Sequence, residues 1–254
     1  MLYSPHEIAL VCLIMTFGST VQGAVGFASG LLGVPLLVLS GFSLPEAATI
    51  NLVATSLQNI IGAWKLWSHL EPRELVLPVV LRWMGIPAGV SLAMFADRNL
   101  DPGQTRQIIG TILLVVVLLI WGLRVPPRDR LSTFWQVLAF LSSGLMLGFA
   151  SIGGPPMVFY VNSLTWSVDK SRGFLFFCSA TGLPVAAWLF WNQHGERIIP
   201  AALSTLVVMP AILAGLWLGL RLGRQMPKRF FRRVAFALVL LIAISSIASP
   251  LLLS

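Results

Sequence analysis

The sequence predicts an all-α polytopic membrane protein made of two inverted repeats, residues 1–127 and 128–254, each a broken helical hairpin plus three spans. Counting hairpin arms gives eight to ten membrane segments. Three observations point there: a charge-poor composition, two apolar runs too long for one crossing, and a motif order that recurs in both halves. Of the 254 residues, 57% are hydrophobic and 10% charged, whereas a soluble domain carries roughly 25% charged residues to cover its surface. Such a chain has to be solvated by lipid. That excludes a cytosolic enzyme, a secreted disulfide scaffold and a nucleic-acid-binding domain. The net charge of +8 is then the Lys/Arg excess of cytoplasmic loops, not a nucleic-acid footprint. Cys12 and Cys178 lie inside apolar runs and read as small hydrophobic fillers. The N-terminus, MLYSPHE, has no basic leader, so the first apolar run is expected to be retained.

A crossing needs roughly 20 apolar residues. In chain order the single spans are 45–67, 75–96, 105–124, 171–191, 198–220 and 233–253. Trp64, Trp67, Trp121, Trp188 and Trp191 stand near their ends, as an interfacial aromatic belt requires. Residues 6–40 and 133–162 are different: apolar runs of 35 and 30 residues. As one helix the first would be about 52 Å long, far beyond a hydrocarbon core about 30 Å thick. Glycines interrupt both, Gly23, Gly26, Gly30 and Gly33 in the first and Gly144, Gly148, Gly153 and Gly154 in the second. Each run is read as a hairpin broken at the glycines, its arms either full or re-entrant.

Charge placement favours hairpins that return to the side they enter. With single crossings, the loop Lys and Arg residues divide ten against six; with returning hairpins they divide thirteen against three, the poor side holding only Arg98, Arg106 and Arg197. The second split obeys the positive-inside rule. It places both termini outside and the loops near 68–73, 124–132, 164–172 and 221–233 in the cytoplasm.

The halves also match in order. Gly26-Phe27-Ala28-Ser29 returns as Gly148-Phe149-Ala150-Ser151 at an offset of 122, and Trp64 and Trp67 return as Trp188 and Trp191 at 124. Pro78 and Pro87 answer to Pro200 and Pro210, and Gly89 to Gly215. Either kind of hairpin leaves an odd number of crossings per half, so the second half is inverted. Inverted repeats with broken helices meeting near the midplane are the architecture of secondary transporters, in which one repeat moves against the other.

Helix starts inside a membrane leave N–H groups that protein, water or a ligand must satisfy. Glycine lets an anion approach them, and the helix dipole favours negative charge there. The two Pro-terminated breaks therefore read as an anion cradle built twice, with Ser29 and Ser151 as added donors; tight helix packing is the other reading of the same glycines. Arg82 is a cation inside a span, either a counter-charge for an anion or a side chain snorkelling to the interface. Asn51, Thr55 and Asn59 share a stripe, which could line a polar path or bond neighbouring helices. Glu46 follows Pro45 at a span start and suits helix N-terminal stabilisation, with proton binding as its other reading. His6, His69 and His194 lie at segment ends, and no phosphate-loop or metal-ligand spacing occurs.

The stretches QGAVGFASGLLGVPLLVL (22–39) and GLMLGFASIGGPPMVFYV (144–161), the segment PEAATINL, and the Gly85/Gly89 and Gly215/Gly219 pairs make the chain resemble the sulfite exporter TauE/SafE family of membrane transporters. The resemblance spans nearly the whole chain. It implies a secondary transporter of sulfite, sulfonates or related small organic anions, with the two glycine-rich breaks as binding elements. The chain departs from that pattern where Leu31 and Leu32 stand in place of Gly153 and Gly154.

The expected substrate site comprises Gly26, Phe27, Ser29, Gly30, Gly33, Asn51 and Arg82 from the first half, and Gly148, Phe149, Ser151, Gly153 and Gly154 from the second. No catalytic residue, metal or cofactor is expected. The partners are a small anion and membrane lipid, without nucleic acid. Proton or sodium as coupling ion, transport direction and oligomeric state are not legible. The expected location is a bacterial-type inner membrane. A membrane enzyme or a membrane-embedded assembly subunit is the competing reading.

Overall fold

The computed structural model describes residues 3–25, 29–122, 128–225, 237 and 240–248. These are almost wholly helical: α1 (Pro5–Val25), α2 (Ser29–Leu39), α3 (Leu44–Leu66), α4 (Pro72–Asn99), α5 (Pro102–Gly122), α6 (Thr133–Ala150), α7 (Gly154–Asn162), α8 (Val168–His194) and α9 (Ile199–Gln225), with 241–248 helical beyond them. The single spans fall on α3, α4, α5, α8 and α9. Both long apolar runs are cut in two, as their length demanded. Stretches long and apolar enough to cross a membrane are Pro5–Ala24, Pro72–Asn99, Thr133–Ala150 and Asp169–Leu222. The last holds α8 and α9, folded back at Gly195, whose φ of +52° suits glycine. Trp64, Trp67, Trp188 and Trp191 are exposed at helix ends, which fits the aromatic belt.

The described short arm of each hairpin is about half as long as a crossing needs. At 11 residues α2 is about 16 Å long, and at 9 residues α7 is about 14 Å, half a membrane core. α2 starts beside Gly18, partway along α1, and ends near the start of α1. There Tyr3 stacks edge-on against Phe42 and donates to Glu46 Oε1 at 3.0 Å. The start of α1, the end of α2 and the start of α3 therefore share one face. Glu46 also accepts from Ser43 N–H at 2.9 Å and Ser43 Oγ at 2.6 Å, so it secures the entry of α3. The second hairpin closes the same way at the opposite face. Arg128 N–H donates to Ser163 O, and Thr165 N–H and Oγ1 donate to Arg128 O and Asp129 Oδ1.

Two parallel seams hold the bundle. α1 lies along α9, with Thr16 opposite Gly215 and Thr20 opposite Gly219; α4 lies along α6, with Arg82 opposite Gly144 and Ile86 opposite Gly148. A Cβ on Gly23 would sit 2.5 Å from Leu216 O, and one on Gly215 would sit 2.5 Å from Thr16 O. At Gly85, Gly89, Gly144, Gly148 and Gly219 it would collide with the facing carbonyls of Leu141, Leu145, Arg82, Ile86 and Thr20. These are small-xxx-small contacts, in which missing side chains let backbones touch. α3 crosses α8 antiparallel, Leu66 meeting Gly173 while Ala48 and Leu52 meet Ala186 and Phe190. At one end Lys170 pairs with Glu71 at 2.9 Å and Glu74 at 2.8 Å; at the other Arg197 pairs with Asp97 at 2.6 Å.

Gly89→Val and Gly219→Val are expected each to cost about 2–3 kcal/mol through overpacking. They should lower the melting temperature of the detergent-solubilised protein, whereas Gly154→Ala, with nothing within 4 Å of its Cβ, should not. Single cysteines at His6 and Ser40, in a chain with Cys12 and Cys178 replaced by Ala, are expected to react with impermeant maleimide from the same side of the membrane. Labelling of the two from opposite sides would rule out the first returning hairpin.

Candidate functional site

Arg82 sits near the middle of α4, between Pro78 and Pro87, and is 2% exposed. Its side chain turns into the bundle, so the snorkelling alternative does not apply. Nη1 donates to the Cys178 carbonyl at 2.6 Å and approaches Met157 Sδ at 3.3 Å. Nη2 faces Gly153, where an added Cβ would lie 2.8 Å away, and Nε faces Gly182, where it would lie 3.6 Å away. Two glycines thus make room for a planar guanidinium. Nε has no hydrogen-bond partner among the described residues, and no described carboxylate pairs with this cation. A buried charge without a counter-charge is costly, which makes this position the electrostatic focus of the protein.

The second break lies against it. α6 ends at Ala150, and Ser151 turns the chain with φ +57°, a left-handed conformation rare outside glycine. The turn is tied back by Ser151 N–H to Leu147 O at 2.8 Å and Ile152 N–H to Met146 O at 3.2 Å. Ser143 Oγ donates to Gly153 O at 2.5 Å, fixing the start of α7 partway along α6. Pro155 and Pro156 carry no N–H, so Gly154 supplies the first-turn amide at the positive end of α7.

The first break meets the second through Asn51. Asn51 Nδ2 donates to Ser151 O at 2.8 Å and to Ser151 Oγ at 3.2 Å, and Ser29 Oγ lies 3.5 Å from Asn51 Oδ1. A Cβ on Gly30 would lie 2.9 Å from both Asn51 Nδ2 and Ser151 O; glycine is what lets α2 reach the other break. Between these elements is a cavity of about 80 Å³, room for a few waters or one small oxyanion. Of the expected residues, Gly30, Asn51, Arg82, Ser151, Gly153 and Gly154 line it.

The other expected residues stand elsewhere. Gly26 and Phe27 lie outside the described residues. Ser29 is buried behind Asn51. Gly33 packs on Met15 Sδ, Gly148 belongs to the α4–α6 seam, and Phe149 is part of the hydrophobic core. Thr55 and Asn59 reach the cavity, although Thr55 Oγ1 donates to its own helix at Asn51 O. Glu46 is spent on the cap of α3, at the surface. Sequence reasoning missed Gln22, Met157 and Ser179 in the lining and Ser143 behind it. Gln22 carried a signal, a lone amide in an apolar run; the other three did not.

The profile of the sulfite exporter TauE/SafE family matches residues 11–246 of the chain. The chain belongs to that family. No curated protein and no solved structure matches it. Membership makes this an integral membrane transport protein, with sulfur-containing anions as the cargo of the family. A TauE/SafE protein with a buried cation beside an intramembrane helix start is chemically suited to such cargo. Asn51→Ala is expected to destabilise the fold by about 1–3 kcal/mol, because Ser151 O would lose its buried donor. Thermal melting in detergent checks this.

Proposed function

We propose that this protein is a secondary transporter of a small sulfur oxyanion, sulfite or a sulfonate-like compound, bound in the cavity between Arg82 and the start of α7. The observation that carries the reading is Arg82 itself: a fully buried cation with no described carboxylate beside it and an Nε without a partner in the described residues, on a cavity that Gly154 also lines. An oxyanion accepts from both, through charge-assisted bonds on the guanidinium and the helix dipole. Asn51, Ser151 and Ser179 add neutral polar groups.

In this reading residues 1–127 and 128–254 are inverted repeats. Support comes from the pairings: α1 with α9, α4 with α6 and α3 with α8 map onto one another when the halves are exchanged. Both glycine seams cross the boundary between the halves. Bodies that move without breaking a seam are therefore α1–α2–α9 and α4–α6–α7, not one half against the other. The Arg-rich face bearing Lys65, Arg73, Arg128, Lys170 and Arg172 is cytoplasmic, which puts the start of α1 outside a bacterial-type inner membrane.

Vesicles carrying the purified protein should take up labelled sulfite or a short sulfonate above empty vesicles. Arg82→Gln should abolish the uptake, and Arg82→Lys, which keeps the charge but loses the fork, should retain a fraction of it. Uptake no greater than in empty vesicles across a broad anion panel would end the transporter reading.

A further inference from the structure

We infer that the site takes monoanions and rejects dianions, so that sulfite enters it as bisulfite, alongside alkyl sulfonates, and sulfate does not. This rests on the proposed reading of the cavity as the anion site. The charge balance of the lining carries it. Among the described residues lining the cavity the only ionised group is Arg82. The Gly154 end of α7 contributes about half an elementary charge more. The remaining polar lining residues, among them Asn51, Asn59, Ser151 and Ser179, are neutral. The next cation along α8, Arg172, lies outside the lining and donates to the Gly23 carbonyl at 3.3 Å.

One negative charge meets the one full cation that the described lining supplies. A second would be taken out of water with no cation to meet it, and burial of an uncompensated charge opposes binding strongly. The neighbours also lack a proton carrier: no carboxylate or imidazole lines the cavity among the described residues. The proton that turns the sulfite dianion into bisulfite is therefore carried on the anion itself, and no protein group has to change its charge.

Binding of methanesulfonate, sulfite and sulfate to the full chain in lipid nanodiscs, at pH values on both sides of the second ionisation of sulfurous acid, tests this. Methanesulfonate, a monoanion throughout, is expected to bind with pH-independent affinity and more tightly than sulfate by about tenfold or more, given the penalty for an unpaired buried charge. The apparent Kd of sulfite should rise about tenfold per pH unit above that ionisation, following the falling fraction of bisulfite. Sulfate bound as tightly as methanesulfonate, or a sulfite affinity that is flat or rises with pH, overturns the inference and leaves the transport site standing. Failure of all three anions to bind overturns both.

Discussion

A guanidinium enclosed in an apolar bundle, with no carboxylate beside it among the described residues, is the constraint on which the rest of this architecture turns. Inside a membrane protein such a charge persists only where dipoles and hydrogen bonds replace the water it has lost. The Cys178 carbonyl takes one of its N–H groups and the polarisable sulfur of Met157 lies against the same nitrogen. The Nε–H remains. The helix start at Gly154 adds positive potential where a structural role would have called for negative. In the proposed reading an anion completes the electrostatics of this site, and affinity there depends on charge.

The position of Arg82 is held from behind. Its own carbonyl is the atom against which Gly144 packs, so the α4–α6 seam fixes the backbone from which the side chain extends. Ser143, one residue earlier, holds the start of α7 through Gly153 O. One turn of α6 thus sets both the cation and the amide that face the same cavity. Glycine does two jobs on either side of this break: at 144 and 148, on α6, it brings backbones together, and at 153 and 154, at the start of α7, it leaves space.

Much of this was legible in the sequence because it follows from length and polarity. Apolar runs longer than one crossing had to break, and a returning hairpin was the arrangement that gathered Lys and Arg on one side. Which glycines serve the seam and which the site was not legible, since Gly148 and Gly153 look alike until α4 is seen to lie on one of them. The direction of the Arg82 side chain was equally hidden. Pro78 and Pro87 bracket it, but the vacancy it fills is made by Gly153 and Gly182, distant in sequence and adjacent only in the fold. Ser143 was silent because its role is to bond a carbonyl ten residues on.

The breaks are duplicated but the site is not. The offset between the halves, 122 at Pro78 and 123 at Pro87, sets Ser204 or Thr205 opposite Arg82, and Leu31 and Leu32 where the second break has glycines. The first break therefore contributes a wall, Gly30 pressed on Ser151, and the second contributes the helix start that lies beside Arg82. That asymmetry matters for movement. Gly30 and Arg82 belong to different seam-joined bodies, α1–α2–α9 and α4–α6–α7, and the cavity lies where those bodies meet. Between them the break residues are linked by Asn51, whose amide reaches Ser151 from α3. Sliding one body past the other would exchange these few polar contacts while the backbone contacts of each seam stay closed. In the proposed transport reading, an anion bridging the two bodies would favour the arrangement in which Arg82 and Gly30 approach, and the energy for closing the site would come from that same unpaired charge.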